Sequence, residues 1–411
     1  MPEQMQSDSL KKSIKFFDFS ITMGEIHFKC LKSGEEVDDL YFKFSHKVIP
    51  SNDLISIALS TLCGKEYECI EMDLVVSRDA LQKIEQFTKA EVSFTDVNEK
   101  IKQNNIKNEE RAIALSFSGG FDSFAAYCVM PDDTKLVSLD FGHWFQREAD
   151  FFMQFKPYTV QTNFRRLKYD RASWTFMGVA AILYSDFLNI NYHAFGSIFD
   201  QNIENFLRNK QDNTYSNYSE SFFQHTDMID VSSFARGLTE VVTVMIVCFY
   251  KPEMVKDSLK SLAAQGSEKL YRKSVLVDIV CTRYNLKIDY EMPDTVKYPI
   301  KSPYEFGDFI LADFLALYVI KHRGIDAASK TVTGIPSEAV VFVNNLSLDF
   351  YEKLNPAFIM DIPIIFRSQY LDKLKNAGVT PYSDKDWDEF YIVRDFISKY
   401  NKKLKKALNN E

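Results

Sequence analysis

Six consecutive residues, Ser118-Gly119-Gly120-Phe121-Asp122-Ser123, bring hydroxyls, a glycine pair and a carboxylate together in a chain that has only 14 glycines in 411 residues. Adjacent glycines let a backbone turn tightly and approach a ligand closely. The hydroxyls of Ser118 and Ser123 can donate to phosphate oxygens. Asp122 would repel a phosphate unless a cation lay between them, and hard cations are held by carboxylate and phosphate oxygens together, so this position predicts magnesium. The apolar run "AIALSF" precedes the hexapeptide and a helix-like segment follows from Asp122. A strand–turn–helix of this kind aims free N–H groups and a positive dipole end at the turn, which makes it an anion cradle. The pattern is neither GxxxxGK[ST] nor GxGxxG.

Such a turn needs a sheet to carry it. "TKLVSLDFG" (134–142) reads as a second short strand and "HWFQREADFFMQF" (143–155) is helical in pattern. "SWTFMGVAAILYSDFL" (173–188) reads as a strong helix and "INYHAFGS" (190–197) as a strand. Short buried strands alternating with helices predict an α/β fold with a parallel, doubly wound sheet, in which ligands bind outside the carboxyl ends of the strands.

Residues 1–92 read as a β-rich N-terminal domain. "KFFDFSITMGEIHFKCL" alternates around a Met-Gly turn, "DDLYFKFSHKVIP" is a second β-favouring run, and "ECIEMDLVVSRDALQKIEQFTKAEV" reads as strand then helix, with Ser77 as N-cap. Residues 93–110 are polar and Asn/Lys-rich, which suggests a linker. The nucleotide-binding part is expected over 111–290 and a helical C-terminal region over 291–411, with helices in "FGDFILADFLALYVIKHRG" and "DKDWDEFYIVRDFISKYNKKLKKALNN".

Composition excludes some classes. Hydrophobic residues are 46% and aromatics 14%, so the chain can build large cores. A net charge of −8 gives no overall attraction for nucleic acid. The start lacks an apolar signal core, and "VVTVMIVCFY" (241–250) is too short to span a bilayer, so it is expected as a buried helix. The six cysteines are scattered without a CxxC, which predicts reduced thiols in a cytoplasmic protein and no zinc site.

Ser-Gly-Gly-Phe-Asp-Ser resembles the SGGxDS signature of the PP-loop ATP pyrophosphatases, and the surrounding chain is most similar to the 7-cyano-7-deazaguanine synthases. "VSLDFGHWFQRE" (137–148) resembles their second strand, with Phe141-Gly142 and Arg147-Glu148 in place. "HAFGSIFDQN" (193–202) resembles the third strand and its turn, where related members carry an acid four residues after the glycine, here Gly196 and Asp200. "GLTEVVTVMIV" (237–247) resembles a leucine-threonine-acid helix start. "SEKLYRKSVL" (267–276) resembles a segment that puts cations on the phosphates. The resemblance covers about 109–285. It implies a Rossmann-like sheet of the adenine nucleotide alpha hydrolase type that binds ATP and Mg2+, adenylates a carboxylate or amide-type oxygen, and releases pyrophosphate before attack by a nitrogen nucleophile. It further implies ATP-binding roles for Ser118, Gly119, Gly120, Phe121, Asp122 and Ser123, adenine contacts from Leu139, Asp140 and Phe141, and a turn at Gly196. Asp122 and Asp200 become the metal ligands, and Lys269, Arg272 and Lys273 the catalytic cations beside Asp122.

The departures are informative. Where that family closes a zinc site with four cysteines, "RKSVLVDIVCTRYN" offers Cys281 alone, and its purine-recognising stretch is replaced by "SIFDQNIENF". The nitrile-forming reaction therefore does not carry over. Proteins of this type also occur in bacterial anti-phage operons and biosynthetic clusters, which suggests a protein partner encoded nearby; a homodimer is also compatible. The alternative reading is a non-catalytic ATP or AMP sensor built on the same loop. His143 and His193 are candidate bases, with His143 expected at the pocket wall and His193 structural. Arg165, Arg166 and Arg171 could bind phosphate. Cys128 is expected in the core.

Overall fold

The computed structural model describes residues 11–99, 112–200, 203, 218–301 and 303–409. The N-terminal strands are β1 (Ser13–Thr22), β2 (Glu25–Lys32), β3 (Val37–Phe44), β4 (Cys69–Ser77) and β5 (Glu91–Asn98). β1 and β2 form the hairpin expected around Met23-Gly24, with Thr22 opposite Glu25. Helix α1 (Asn52–Cys63) follows β3, and α2 (Arg78–Thr88) starts behind Ser77, whose hydroxyl accepts from the Ala80 N–H as an N-cap.

The second set of strands is β6 (Ala112–Ser116), β7 (Lys135–Asp140), β8 (Tyr158–Thr162), β9 (Ile190–Phe195) and β10 (Ile229–Asp230). All are parallel to their neighbours within the set, in the order β10-β9-β6-β7-β8. Counted from β6, that order is 3-2-1-4-5 with a reversal between β6 and β9, the arrangement of a doubly wound sheet. β8 was not foreseen in "PYTVQT", so the strand at 190–195 is the fourth of the set and not the third.

β8 also pairs antiparallel with β3, through Phe42 opposite Thr162. The two sets thus join into one sheet, β10-β9-β6-β7-β8-β3-β2-β1-β4-β5. The N-terminal strands extend this sheet across the expected boundary at 92. The linker expected at 93–110 is corrected in its first part: Ser93 to Asn98 lie in edge strand β5, where Val92 and Phe94 face inward. Residues 100–111 lie outside the described residues.

Helices cover both faces. α3 (Phe121–Val129) and α4 (Gln146–Phe152) lie on one, and α5 (Val179–Leu188) lies on the other with α1. β6 shows how the strand period serves both cores: Ile113 and Leu115 join the first core and Ala114 the second. After α6 (Tyr218–Thr226) and the single turn α7 (Ser233–Arg236) come α8 (Glu240–Tyr250), α9 (Val255–Leu262) and α10 (Glu268–Arg283). α8 is the buried helix expected from 241–250. The C-terminal region is helical, and α11 (Ile310–Arg323) packs into the same core as α8 and α10. The last helical pattern splits into α12 (Asp384–Ser398) and α13 (Lys402–Asn409) around Asn401. Asn401 caps the second of them, its Oδ1 accepting from the Leu404 N–H at 2.9 Å.

Candidate active site

The carboxyl ends of β6, β7 and β9 open into a cavity of about 610 Å3. It lies where the strand order reverses, the position favoured for ligands in doubly wound sheets, and its size is that of a small-molecule site. Ser118, Gly120, Phe121, Asp122 and Ser123 line one end. Val137, Leu139 and Phe141 from the β7 end, with Trp174, Met177 and Phe195, make the other end apolar.

The glycine loop is held from within. The Ser118 N–H donates to Ser123 Oγ at 3.3 Å, the two hydroxyls are 3.2 Å apart, and Ser123 Oγ donates to the Gly120 carbonyl at 3.2 Å. Gly119 has φ +76, and a β-carbon on it would come within 2.5 Å of the Phe151 ring. Glycine is therefore required twice over, by the left-handed backbone and by the close approach of α4. Gly120 is the N-cap of α3 and contributes no side-chain cap. The first turn of α3 thus presents its amides and dipole end to the cavity. Gly196 serves the same turn from the β9 side, because a β-carbon there would sit 2.7 Å from the Ser123 backbone.

Beneath this loop lies a buried charge cluster. Lys273 Nζ donates to Asp122 Oδ1 at 2.8 Å and lies 3.0 Å from Glu240 Oε1. Thr243 Oγ1 donates to the same Asp122 oxygen at 3.4 Å. Arg272 binds Glu240, and its Nε donates to Glu268 at 2.7 Å. Burial opposes ionisation of Glu240, but the Arg272 guanidinium and the Lys273 ammonium outweigh it and hold the carboxyl below its usual range. The Asp200 carboxylate accepts the Glu240 N–H and so caps α8. Burial, reinforced by the neighbouring charge of Glu240, pushes Asp200 up to about 8.

The expected site residues therefore divide. Ser118, Gly120, Phe121, Asp122, Ser123, Leu139, Phe141, Gly196, Lys269 and Lys273 all line the cavity. Four expected residues do not. Gly119 faces Phe151. Asp140 turns back to accept from the Gly142 N–H at 2.9 Å and from Gln161 at 3.1 Å. Arg272 is absorbed by Glu240 and Glu268. Asp200 is 2% exposed and lies behind the wall. Lys269 has neither a hydrogen bond nor an ion pair among the described residues.

A metal needs a carboxylate that reaches the ligand. Asp122 meets that condition, and magnesium is usually held by one or two carboxylates with phosphate oxygens. Asp200 does not line the cavity, although its buried Oδ1 has no hydrogen-bond partner among the described residues. Among the described residues, no group of three or more His, Cys, Asp and Glu is arranged to hold a metal.

Among the other candidates, Arg165 lines the cavity and stacks over Phe145, 4.0 Å from the ring centroid. Arg166 and Arg171 do not line it; both line another cleft, and Arg166 also borders the one beside Phe141. His193 is fully buried with Nε2 2.9 Å from Ser116 Oγ, and burial pushes it down to about 3, which suits a neutral structural residue. His143 is exposed and lines an adjoining cleft of about 420 Å3 that shares Phe141. Burial pushes the Cys128 thiol up to about 12, as befits a packed residue. Sequence reasoning missed Trp174 and Arg236. Trp174 sits in an apolar helical pattern that reads as core, and Arg236 belongs to a four-residue helix too short to register as a periodic segment.

No protein-family model, no curated protein and no solved structure matches the chain.

Proposed function

We propose that the chain is an ATP-dependent adenylating enzyme whose 111–290 segment is a Rossmann-like domain of the adenine nucleotide alpha hydrolase type. It cleaves ATP to AMP and pyrophosphate while activating a carboxylate or amide-type oxygen for attack by a nitrogen nucleophile. One observation carries this reading: the Ser118–Ser123 loop and the N-terminus of α3 open into a cavity at the strand-order reversal, with Lys269 and Lys273 on the same wall.

In this reading the adenine lies in the apolar end, against Leu139, Phe141 and Met177. The phosphates lie on the first turn of α3, where amides and dipole stabilise negative charge. Asp122 is the residue that would hold Mg2+, which would supply neutralisation of phosphate charge. Lys269, which makes no hydrogen bond or ion pair among the described residues, stabilises the departing pyrophosphate, the kind of interaction that usually dominates catalysis. Lys273 orients Asp122 and offsets its charge. Arg272 acts through Glu240 and positions Lys273. Resemblance to the deazaguanine synthases without their zinc cysteines supports a changed acceptor, and the defence or biosynthetic setting rests on that resemblance alone.

The test incubates the protein with ATP, Mg2+ and a pool of carboxylic acids. AMP and pyrophosphate are expected, and ADP with phosphate would overturn the reading. The inward turn of Asp200 and Arg272 favours a second reading, an ATP or AMP sensor. Tight ATP binding without AMP from any acid would support it.

A further inference from the structure

Two carboxylates line the cavity, Asp122 and Glu148. Asp122 is bonded to Lys273 and Thr243. Glu148 has no hydrogen bond or ion pair among the described residues. It stands on α4 one turn before Phe152, which faces the same cavity, while Phe151 packs on Gly119. Residues four apart on a helix share a face, so the Glu148 carboxyl sits on the turn that closes over the glycine loop.

The cations nearest to Glu148 act on its charge without bonding to it, so among the described residues its carboxylate oxygens stay open to a donor from the ligand. Burial raises the Glu148 pKa; Lys269 on α10, Arg165 beyond β8 and Arg147 on α4 itself act in the opposite direction. A carboxyl raised in this way is a better proton acceptor than an ordinary surface glutamate.

We infer that Glu148 is the subsite for the acceptor nitrogen: it binds the ammonium form of an amine and takes its first proton. The inference rests on the adenylation reading. An ammonium loses two protons on the way to an amide. The first passes to a Glu148 oxygen and frees the nitrogen lone pair. The nitrogen then attacks the acyl carbon of the acyl-adenylate, the C–N bond forms, and the C–O bond to AMP breaks with its electron pair leaving on AMP. The second proton goes to water. Glu148 must be ionised to act, so turnover with an amine falls as pH drops through its raised pKa.

The test uses the full chain with Mg2+ and α,β-methylene ATP, which cannot be cleaved between the α and β phosphates. Ammonium, propylammonium and tetramethylammonium are titrated in turn, with binding read by calorimetry and by 15N-ammonium NMR. Wild type should bind ammonium and reject tetramethylammonium, which has no N–H. Glu148→Gln should weaken ammonium binding about tenfold or more, the loss of a charged hydrogen bond, while binding of the ATP analogue holds or tightens. Glu148→Asp should recover part of the ammonium affinity. If propylammonium binds as well, the acceptor is a primary amine; if it is excluded, the acceptor is free ammonia. No ammonium binding to wild type, or equal binding to Glu148→Gln, overturns the subsite. Loss of analogue affinity in Glu148→Gln also overturns it, since that marks a structural or metal-binding role. Ammonium binding at Glu148 without any AMP from ATP would leave the subsite standing and remove the adenylation reading.

Discussion

The two halves of the ten-stranded sheet spend their charges differently. In the N-terminal half, ion pairs sit in water: Lys15 and Glu71 pair across β1 and β4 with side chains 41% and 54% exposed. Below the glycine loop, Lys273 and Glu240 pair with side chains 3% and 2% exposed, and Arg272 and Asp122 complete the chain of contacts. Exposed pairs contribute ~0–1 kcal/mol each. Buried pairs lose several kcal/mol per ion to desolvation and are often no better than apolar packing. A fold selected for stability alone would fill that space with apolar residues like the Val, Ile and Met that fill the rest of α8. In the proposed reading, the buried charges beside the cavity are retained for the ligand and not for stability.

The largest effect should come from Lys273→Met. It removes the cation shared by Glu240 and Asp122 while Arg272 stays on Glu240, at a cost of up to about 3–5 kcal/mol. Chemical denaturation should show that loss, and AMP formation should disappear. Wild-type stability in this variant would erase the contrast between the halves.

Asp122→Asn keeps the shape of the loop and removes only charge. Turnover should fall by roughly 10²-fold or more if Asp122 holds the ion, with a small change in melting temperature. Unchanged turnover at saturating Mg2+ would reject that role.

The same contrast explains what could be read from sequence. The glycine loop was legible because strand, turn and helix are contiguous, and Ser118 and Gly120 to Ser123 do line the cavity. β1, β2, β4, α2 with its Ser77 cap, and α8 were legible for the same local reason. What stayed hidden depends on distant partners. Tyr158–Thr162 is a five-residue run after Lys156-Pro157, and only its pairing with both β7 and β3 makes it a strand. The joining of the two halves hangs on that strand, so it was hidden too. Asp200 and Arg272 carry the residue types of ligand-binding groups, but the helix start at Glu240 takes both. One-dimensional spacing does not reveal which of two acids a cation will choose.

A subtler test lies in pH. Asp200 is raised to about 8 in the fold, against an ordinary value near ~3.9 in an unfolded chain. Between those values the folded state binds the extra proton, so this residue makes the protein more stable on the acid side and less stable as pH rises through the window. Asp200→Asn keeps an oxygen to cap the Glu240 N–H and cannot ionise. Melting temperatures at pH 5.5 and pH 8 should lie closer together in this variant than in wild type. An unchanged gap would mean that Asp200 is not protonated in the folded protein.

The smallest effect belongs to the other half. Lys15 bridges Glu71 and Asp73 on the exposed face of the sheet, at 3.2 and 3.5 Å. Its raised pKa comes chiefly from the hydrogen bond to Glu71 and from the charge of Asp73. Both are screened by water and salt at such exposure. Lys15→Ala should leave AMP formation untouched and shift the melting temperature by no more than moderate salt does to the wild-type protein. A loss comparable to that of Lys273→Met would mean that charge is structural across the whole sheet. The cluster under the glycine loop would then no longer stand out as the place where a ligand is held.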